Sequence, residues 1–268
     1  MTLFLAGDVM TGRGIDQVLP HSVDPRLYEP WVKDARRYVD LAEAEHGEIP
    51  APVGYDYPWG DALPELERAA PAARIVNLET AVTAHGEPWP GKGIHYRMHP
   101  ENAPVLTTPG IDCCVLANNH VLDWGRPGLE ETLEALRRAG LRTAGAGRSL
   151  EEAREPAVLP ARGGGRVLVV AMGSVTSGIP REWAATEGRS GVFLLPAPPA
   201  EPVDAVPEVI EALDRVRQPG DLVVASIHQG GNWGYPVPAA ERRLAHALID
   251  RAGVAVVHGH SSHHVKGI

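Results

Sequence analysis

The sequence is poor in cysteine, with only Cys113 and Cys114 among its 268 residues. Two cysteines that are adjacent in the chain cannot form a disulfide framework or the four-ligand cage of a structural zinc site. Their place in an apolar run predicts small buried side chains, with a redox pair as the alternative. The 44% of hydrophobic residues can supply a substantial core without such cross-links.

Long hydrophobic runs are also missing. No segment approaches the roughly 20 consecutive apolar residues that a membrane-spanning helix needs. Residues 1–8 contain no basic residue, and their apolar stretch is too short for a secretory signal peptide. We therefore expect a soluble, cytoplasmic protein without a membrane segment.

An excess of positive charge is absent as well. The 25 Lys and Arg residues are outnumbered by 34 Asp and Glu residues, which gives a net charge of -9. Such a chain lacks the basic footprint of nucleic-acid-binding proteins, and its acidic surface disfavours docking on anionic membranes. An anionic substrate is not excluded, because a few local cations or a bound metal can reverse the field inside a cleft.

What the sequence does contain is a repeated alternation of short apolar runs and helical patterns. This alternation predicts an α/β fold with a layered helix–sheet–helix core, formed by the whole chain, 1–268, as one domain. The predicted strands are 3–6, 74–79, 111–117, 166–172, 221–227 and 253–257. Two proline-rich segments, 21–59 and 180–207, interrupt the alternation and are predicted to be insertions. The first is expected to form a rim or lid of a cleft, or else a plain surface excursion.

Five of the apolar runs end in polar residues of metal-ligand or acid–base type. These residues are Asp8, Glu79, the turn with Asn118, Asn119 and His120, His228, and the histidines of 258–264. The carboxyl ends of buried parallel strands meet at one edge of a sheet and present their side chains to a cleft there. We therefore expect these residues to converge on one site.

The histidines near the C-terminal end indicate a metal. Four of them lie within 258–264, directly after an apolar run. Imidazole nitrogens and carboxylate oxygens are common ligands of Zn, Mn and Fe, and an Asn amide oxygen adds a neutral donor. The predicted ligands are Asp8, Glu79, Asn119, His228, and His260 or His263. They suffice for one divalent ion or two, and the lack of cysteine ligands predicts an open, catalytic site.

His120 has a different predicted role. Asp123 follows it by three residues, one turn away if a helix begins there. A carboxylate beside an imidazole fixes its tautomer and raises its pKa, which suits a general acid for a leaving group. The alternative is that Asp123 caps a helix that begins near Arg126.

Cations for an anionic substrate are predicted in two loops. Arg13 lies in the glycine-containing segment 11–14, and Lys92 and Arg97 lie in the locally basic loop 83–100. An Arg guanidinium can bind a phosphate or carboxylate through two hydrogen bonds. Asn118 is included as a further substrate-binding candidate, and solvated loop charges are the alternative for the basic loop.

These motifs together resemble the CapA family, the bacterial capsule or poly-γ-glutamate synthesis proteins, whose fold is similar to the calcineurin-like metallophosphoesterases. The matching pieces come in family order and cover nearly the whole chain. They are Gly-Asp-Val-Met at 7–10, Asn-Leu-Glu at 77–79, Arg-Met-His-Pro-Glu-Asn at 97–102, Ala-Asn-Asn-His-Val-Leu-Asp-Trp-Gly at 117–125, Ser-Ile-His at 226–228 and Gly-His-Ser-Ser-His at 259–263.

The resemblance implies a layered α-β-β-α fold, the metal ligands already named, and His120 as the proton donor. Met10 stands where the phosphoesterases typically place a histidine ligand, and Glu79 where they have a bridging aspartate, so one metal subsite is expected to be weaker or absent. Membrane-linked members of the family carry an N-terminal anchor that this sequence does not show. Family members also continue beyond the histidine cluster, so we expect the core to be truncated at its C-terminal end.

Two functions follow from this reading. The first is a metal-dependent hydrolase or transferase that acts on a phosphoester, or on an amide or ester of a small or polymeric acidic substrate such as poly-γ-glutamate. The second is a non-catalytic, polymer-binding accessory subunit of a capsule-type biosynthetic machine. A nucleic-acid phosphoesterase is disfavoured by the net charge of -9. The sequence does not predict an oligomeric state.

Overall fold

The computed structural model describes residues 1–197 and 200–266; residues 198–199, which belong to the predicted insertion 180–207, and residues 267–268 lie outside the described residues. The described strands are β1 (Leu3–Val9), β2 (Ala73–Leu78), β3 (Ala81–Val82), β4 (Arg97–Met98), β5 (Cys113–Val115), β6 (Arg142–Ala144), β7 (Ala146–Gly147), β8 (Ala157–Pro160), β9 (Arg166–Gly173), β10 (Gly191–Val192), β11 (Leu222–His228) and β12 (Val256–His260). The described α-helices are α1 (Gly14–Val18), α2 (Arg36–His46), α3 (Ala62–Ala69), α4 (Pro104–Thr107), α5 (Gly125–Arg138), α6 (Leu150–Arg154), α7 (Val206–Asp214) and α8 (Ala239–Ala252). None of these helices combines the length and the hydropathy that a membrane span requires.

Two four-stranded sheets form the centre of the described structure. The first has the order β1-β2-β5-β6, and all its neighbouring strands run parallel. The second has the order β12-β11-β9-β8, and only its edge strand β8 runs antiparallel to its neighbour. The prediction of an α/β fold is therefore confirmed, with mainly parallel sheets.

Buried apolar side chains show how the layers pack. Ile75 of β2 belongs to a group that lies between the two sheets, together with residues of β5, β9 and β11. Its neighbour Val76 belongs to a second group that includes Leu129 of α5, because successive side chains of a strand point to opposite faces. A third group packs Leu213 of α7 and Leu244 of α8 against the second sheet. Helices therefore cover the outer faces of two sheets that share an inner core.

The two cysteines follow the same alternation in β5. Cys113 lies in the core between the sheets and Cys114 in the core beneath α5. Both are free and fully buried, and burial raises the pKa of the Cys114 thiol to about 12. The structure agrees with the prediction of small buried side chains and offers the redox alternative no accessible thiolate.

Two predicted strands have different bounds, and both changes affect the site. β1 continues to Val9, so Asp8 lies inside the strand, at a register irregularity between Ala6 and Asp8, rather than beyond its end. β12 begins at Val256, because Gly253 ends α8 in a left-handed conformation with φ of 64°. His258 and His260 are therefore part of the strand, where their spacing of two places them on one face.

Candidate metal centre

The site lies where strands of both sheets end. The two sheets meet here through their edge strands, β1 and β12. Gly7 lies at this approach, where a Cβ would be in van der Waals contact with the Cβ of His260, at 3.6 Å. The close approach brings Asp8 of the first sheet next to His260 of the second, and His228, at the end of β11, pairs in register with His260.

Asp8, His228 and His260 form a compact group of metal-ligating side chains. One ligand atom from each residue lies within 4.8 Å of the others. The Nδ1 atoms of the two histidines are 2.8 Å apart, and each lies 3.8 Å from Oδ1 of Asp8. Two imidazole nitrogens that face one carboxylate oxygen in this way provide the donor types that Zn, Mn and Fe bind.

The protonation of these groups fits a divalent cation. Burial, opposed by Asp8, lowers the pKa of His228 to about 4, and burial also lowers the pKa of His260. Both imidazoles are therefore neutral at neutral pH, which is the form that binds metals. Burial, followed by the neighbouring Asp8 carboxylate, raises the pKa of Glu79 to about 9. A bound cation would favour the ionised form of this carboxylate instead.

Glu79 and Asn119 lie beside the three-residue group. Oε1 of Glu79 is 3.9 Å and Oδ1 of Asn119 is 3.1 Å from Nε2 of His228. Asn77, which the sequence places on the same side of β2 as Glu79, donates through Nδ2 to Asp8 at 2.8 Å and to Glu79 at 3.1 Å. Five of the six predicted ligands therefore share one hydrogen-bonded cluster with Asn77, and His263 is the exception: Asp8, Glu79, Asn119, His228 and His260.

His120 contacts Asp123 as the sequence predicted. Nδ1 of the imidazole donates to Oδ2 of Asp123 at 2.6 Å, and Nε2 lies 3.9 Å from Oε1 of Glu79. The Asp123 carboxylate also accepts the backbone N–H of Tyr96 at 2.7 Å. Burial lowers the pKa of His120, and Asp123 opposes this effect. The buried carboxylate therefore sets the tautomer that leaves Nε2 directed away from it.

The capping alternative for Asp123 is not what the structure shows. α5 begins at Gly125, its N-cap residue is Trp124, and no side chain caps it. The carboxylate instead contacts His120, the Tyr96 backbone and Lys92, whose Nζ lies 2.6 Å from Oδ1 of Asp123.

A cleft of about 520 Å³ opens beside these groups. Its wall is formed by Asp8, Met10, Glu79, Lys92, Gly93, Ile94, Tyr96, Asn119, His120, Asn232 and His263. Of the predicted cations, Lys92 lies on this wall. His263 is exposed there, and its backbone N–H donates to the carbonyl oxygen of Asn232 at 2.9 Å, but it is not part of the compact three-residue group.

Three predicted substrate-binding residues do not line the cleft. Nε of Arg13 donates to Glu29 at 2.7 Å, and the guanidinium of Arg97 lies 3.7 Å from the centre of the Trp124 ring. Asn118 is fully buried and donates to the side chain of Asn77 at 3.0 Å. Their polar groups already have partners within the protein, so their placement does not support direct contact with a substrate.

The residues of the cleft wall do not support the predicted lid. It includes no residue of 21–59 and none of the described residues of 180–207. Tyr55 and Trp59 of the first segment instead donate to the carbonyl oxygens of Glu101 and Val105. These contacts fix the segment to the side of the first sheet, as expected of the surface alternative.

Sequence reasoning did not single out two features of the site. The Tyr96 ring stacks on His120 with centroids 4.0 Å apart, and no local pattern signals this contact. Oγ of Ser226 lies 2.9 Å from Nε2 of His260 and 3.1 Å from Nδ1 of His258. The spacing of two between Ser226 and His228 on a strand was a usable signal, because it places both on one face.

The fold and the site together define an α/β protein with a candidate metal centre in an open cleft at its strand ends. The chain belongs to the family described as bacterial capsule synthesis protein PGA_cap, whose family model matches residues 2–268. The resemblance to the CapA family drawn from the sequence is thereby confirmed.

Individual relatives agree with this assignment. The chain is 45% identical over 268 residues to a protein of Mycobacterium tuberculosis named probable polyglutamine synthesis accessory protein, and the match covers all of this chain and 70% of the relative. It is 28% identical over 177 residues to the PGA biosynthesis protein CapA of Bacillus subtilis, with 66% of this chain and 43% of that protein covered. The capsule biosynthesis protein CapA of Bacillus anthracis is 27% identical over 172 residues, with 64% of this chain and 39% of that protein covered.

Proposed function

We propose that this protein is a metal-dependent hydrolase or transferase with the layered fold of the calcineurin-like metallophosphoesterases. Its substrate would be a phosphoester, or an amide or ester of an acidic compound, in keeping with a family associated with capsule and poly-glutamate synthesis. One observation carries the proposal. Asp8, His228 and His260 come together beside the cleft, whose wall includes Asp8 itself with Glu79, Asn119 and His120.

Asp8, His228 and His260 would hold the ion, with Glu79 and Asn119 as further donors. A divalent ion in such a site supplies Lewis acidity to an ester, amide or phosphoryl oxygen. Met10 supports one tightly held ion rather than two. It replaces the histidine ligand of a second metal subsite, and its Sδ already accepts the backbone N–H of Gly12 at 3.2 Å.

His120 is the proton donor of the proposal. The step uses the protonated imidazole: Asp123 accepts from Nδ1 and stabilises the imidazolium against the burial that lowers its pKa, and Nε2–H gives its proton to a leaving group in the cleft. Lys92 places an ammonium on the same wall, where it attracts an anionic group of the substrate. Because Lys92 also pairs with Asp123 at 2.6 Å, the cation and the proton donor are held at a fixed separation.

Elemental analysis of protein purified without a metal-chelating tag tests the centre. We expect about one equivalent of Mn, Fe or Zn, as a single open site would hold. Asp8→Ala and His228→Ala should lose the metal and keep the far-ultraviolet circular dichroism of the wild type. Glu134→Gln, which removes a carboxylate paired with Arg137 on the surface of α5, is the matched control and should keep it. Stoichiometric metal in both ligand variants would contradict the site.

Turnover is tested on the metal-loaded protein with an activated phosphodiester and with γ-glutamyl amides. His120→Asn should retain the metal and lose at least about 100-fold in kcat, the range of general acid catalysis. Equal turnover by His120→Asn and the wild type would exclude His120 as the proton donor.

The second candidate is the non-catalytic accessory subunit, which the name of the Mycobacterium tuberculosis relative favours. It predicts that the metal-loaded protein binds poly-γ-glutamate but releases no product from any substrate of the screen. Under this function His120→Asn would leave binding of the polymer unchanged, whereas Lys92→Met would weaken it.

A further inference from the structure

Tyr96 contacts both members of the His120–Asp123 pair. Its ring stacks on the imidazole with an interplanar angle of 24°. Its backbone N–H donates at 2.7 Å to Oδ2 of Asp123, the same oxygen that accepts Nδ1 of His120. Tyr96 therefore contacts the face of the imidazole with its ring and the Asp123 carboxylate with its backbone N–H.

Arg13 in turn lies against Tyr96. The Cζ atom of its guanidinium is 4.7 Å from the centre of the Tyr96 ring and 4.8 Å from that of Tyr38. Glu29, which is buried, accepts hydrogen bonds from Nε and Nη2 of the guanidinium, both at 2.7 Å, and it also accepts the Tyr38 hydroxyl at 2.6 Å. A guanidinium on an aromatic face that is also fixed by a carboxylate has little freedom to reach a substrate.

The backbone of Arg13 supports the same conclusion. Its φ of 50° lies in the left-handed region, which a non-glycine residue adopts only where its surroundings hold it. Arg13 immediately precedes α1, and no side chain caps that helix. The ion pair with Glu29 and the two aromatic faces hold the side chain, and the backbone carbonyl of Arg13 accepts the N–H of Gln17 at 3.4 Å.

We propose that Tyr96 is a positioning residue for His120, and that Arg13 keeps Tyr96 in place instead of binding substrate. The hydrogen bond to Asp123 fixes one nitrogen of the imidazole but leaves its ring free to tilt. The stacked Tyr96 ring restricts this tilt, so Nε2 keeps its direction toward the cleft, 3.9 Å from Glu79. The catalytic consequence of this role rests on the proposed function, whereas the contact itself does not.

Proton NMR of the Zn-loaded protein tests the contact without any assay of activity. The imidazole C–H resonances of His120, identified by their absence in His120→Asn, should be shifted upfield by the ring current of Tyr96. Tyr96→Phe keeps the aromatic face and should keep this shift, while Tyr96→Leu should move the resonances downfield. Tyr28→Leu, which removes another half-exposed ring that lies against Trp124, is the control and should leave them in place.

Arg13→Met provides a second variant should Tyr96→Leu fail to fold. It removes the guanidinium and should move the His120 resonances in the same direction by a smaller amount, because the Tyr96 ring loses its support. If either Tyr96→Leu or Arg13→Met folds and its His120 resonances are unchanged, the proposal is overturned.

Kinetics separate the positioning role from a merely structural one. Tyr96→Leu should lower kcat by about 10- to 100-fold, with KM and metal content unchanged, since a displaced catalytic group loses orientation rather than substrate affinity. Tyr96→Phe should restore the wild-type value. Wild-type kcat in Tyr96→Leu would overturn the positioning role. If the wild type turns over no substrate, the proposed function fails, and the NMR comparison still decides whether Tyr96 orients His120.

Discussion

The side-chain amide of Asn118 donates to the amide oxygen of Asn77 at 3.0 Å. This contact determines which end of the Asn77 amide faces the candidate metal centre, so that its Nδ2 donates to both Asp8 and Glu79. Both asparagines are fully buried, where an amide without a partner would be costly. Asn118 therefore orients the two carboxylates through Asn77 and does not itself reach the cleft.

Asn77→Ala should weaken metal binding by about 10- to 100-fold, as is typical when a partner that orients metal ligands is removed. Asn118→Ala should act in the same direction but less strongly, because the bonds from Asn77 to the carboxylates can partly re-form. Competition with a chromophoric chelator measures the affinity. Asn102→Ala is the matched control: Asn102 is another buried asparagine, bonded to Asp16 away from the site, and its removal should reduce stability alone. An unchanged affinity in Asn77→Ala would refute this role.

Asp123→Asn should lower kcat by about 100-fold or more while the metal content stays at the wild-type level. An amide in place of the carboxylate cannot stabilise the His120 imidazolium, and it leaves Lys92 without its ionic partner. Steady-state kinetics and elemental analysis of the same preparation test this. Loss of the metal together with activity would instead place Asp123 in the structure of the metal site.

Glu79 should make the metal-free protein less stable at alkaline pH. Its pKa is about 9 in the folded chain and 4.5 in its ordinary state, so the folded protein binds more protons than the unfolded one between these values. The resulting stability is complete below about pH 4.5 and is lost as pH rises through about 9. Between about pH 7 and about pH 9 the loss should be on the order of 2 kcal/mol.

Glu79→Gln removes the titrating group and should flatten this part of the pH dependence relative to the wild type. Urea unfolding of the metal-free proteins at several pH values measures the difference. Titrating groups far from Glu79 are common to both proteins and cancel in the comparison. Identical pH profiles would show that Glu79 is already ionised in the folded protein.

Gly145→Ala should destabilise the fold more than Gly140→Ala, although both glycines have positive φ, of 89° and 78°. A Cβ at Gly145 would lie 2.8 Å from the Cβ of Ala117 and 2.9 Å from that of Ala171, whereas nothing lies within 4 Å at Gly140. The left-handed conformation alone costs about 1–2 kcal/mol, and crowding in a packed core adds about 1–3 kcal/mol. Urea denaturation of the two variants compares these values, and equal losses would mean that the chain relaxes around residue 145.

Much of the site was predictable because strand ends can be read locally. Glu79 and His228 terminate apolar runs, and the structure places both in the cluster where β2 and β11 end. The bounds of β12 were wrong by three residues at each end, since an apolar run does not reveal where Gly253 ends the preceding helix. The segment 143–147, whose glycine-rich sequence predicts a turn, lies largely within the short strands β6 and β7, because pairing with other segments overrides a weak local pattern.

The sequence by itself determined the α/β class, the family and the kinds of polar side chain at the strand ends, because periodicity and the residues that end each strand are local properties of the chain. Only the tertiary structure decided which polar groups meet. Arg13 and Tyr96 are far apart in sequence, and so are Asn118 and Asn77, and their contacts depend on the paths of loops that no periodicity encodes. An arginine or asparagine near a cleft looks the same in sequence whether it binds a substrate or a neighbouring side chain. Burial and available partners decide between the two, and both are properties of the folded chain.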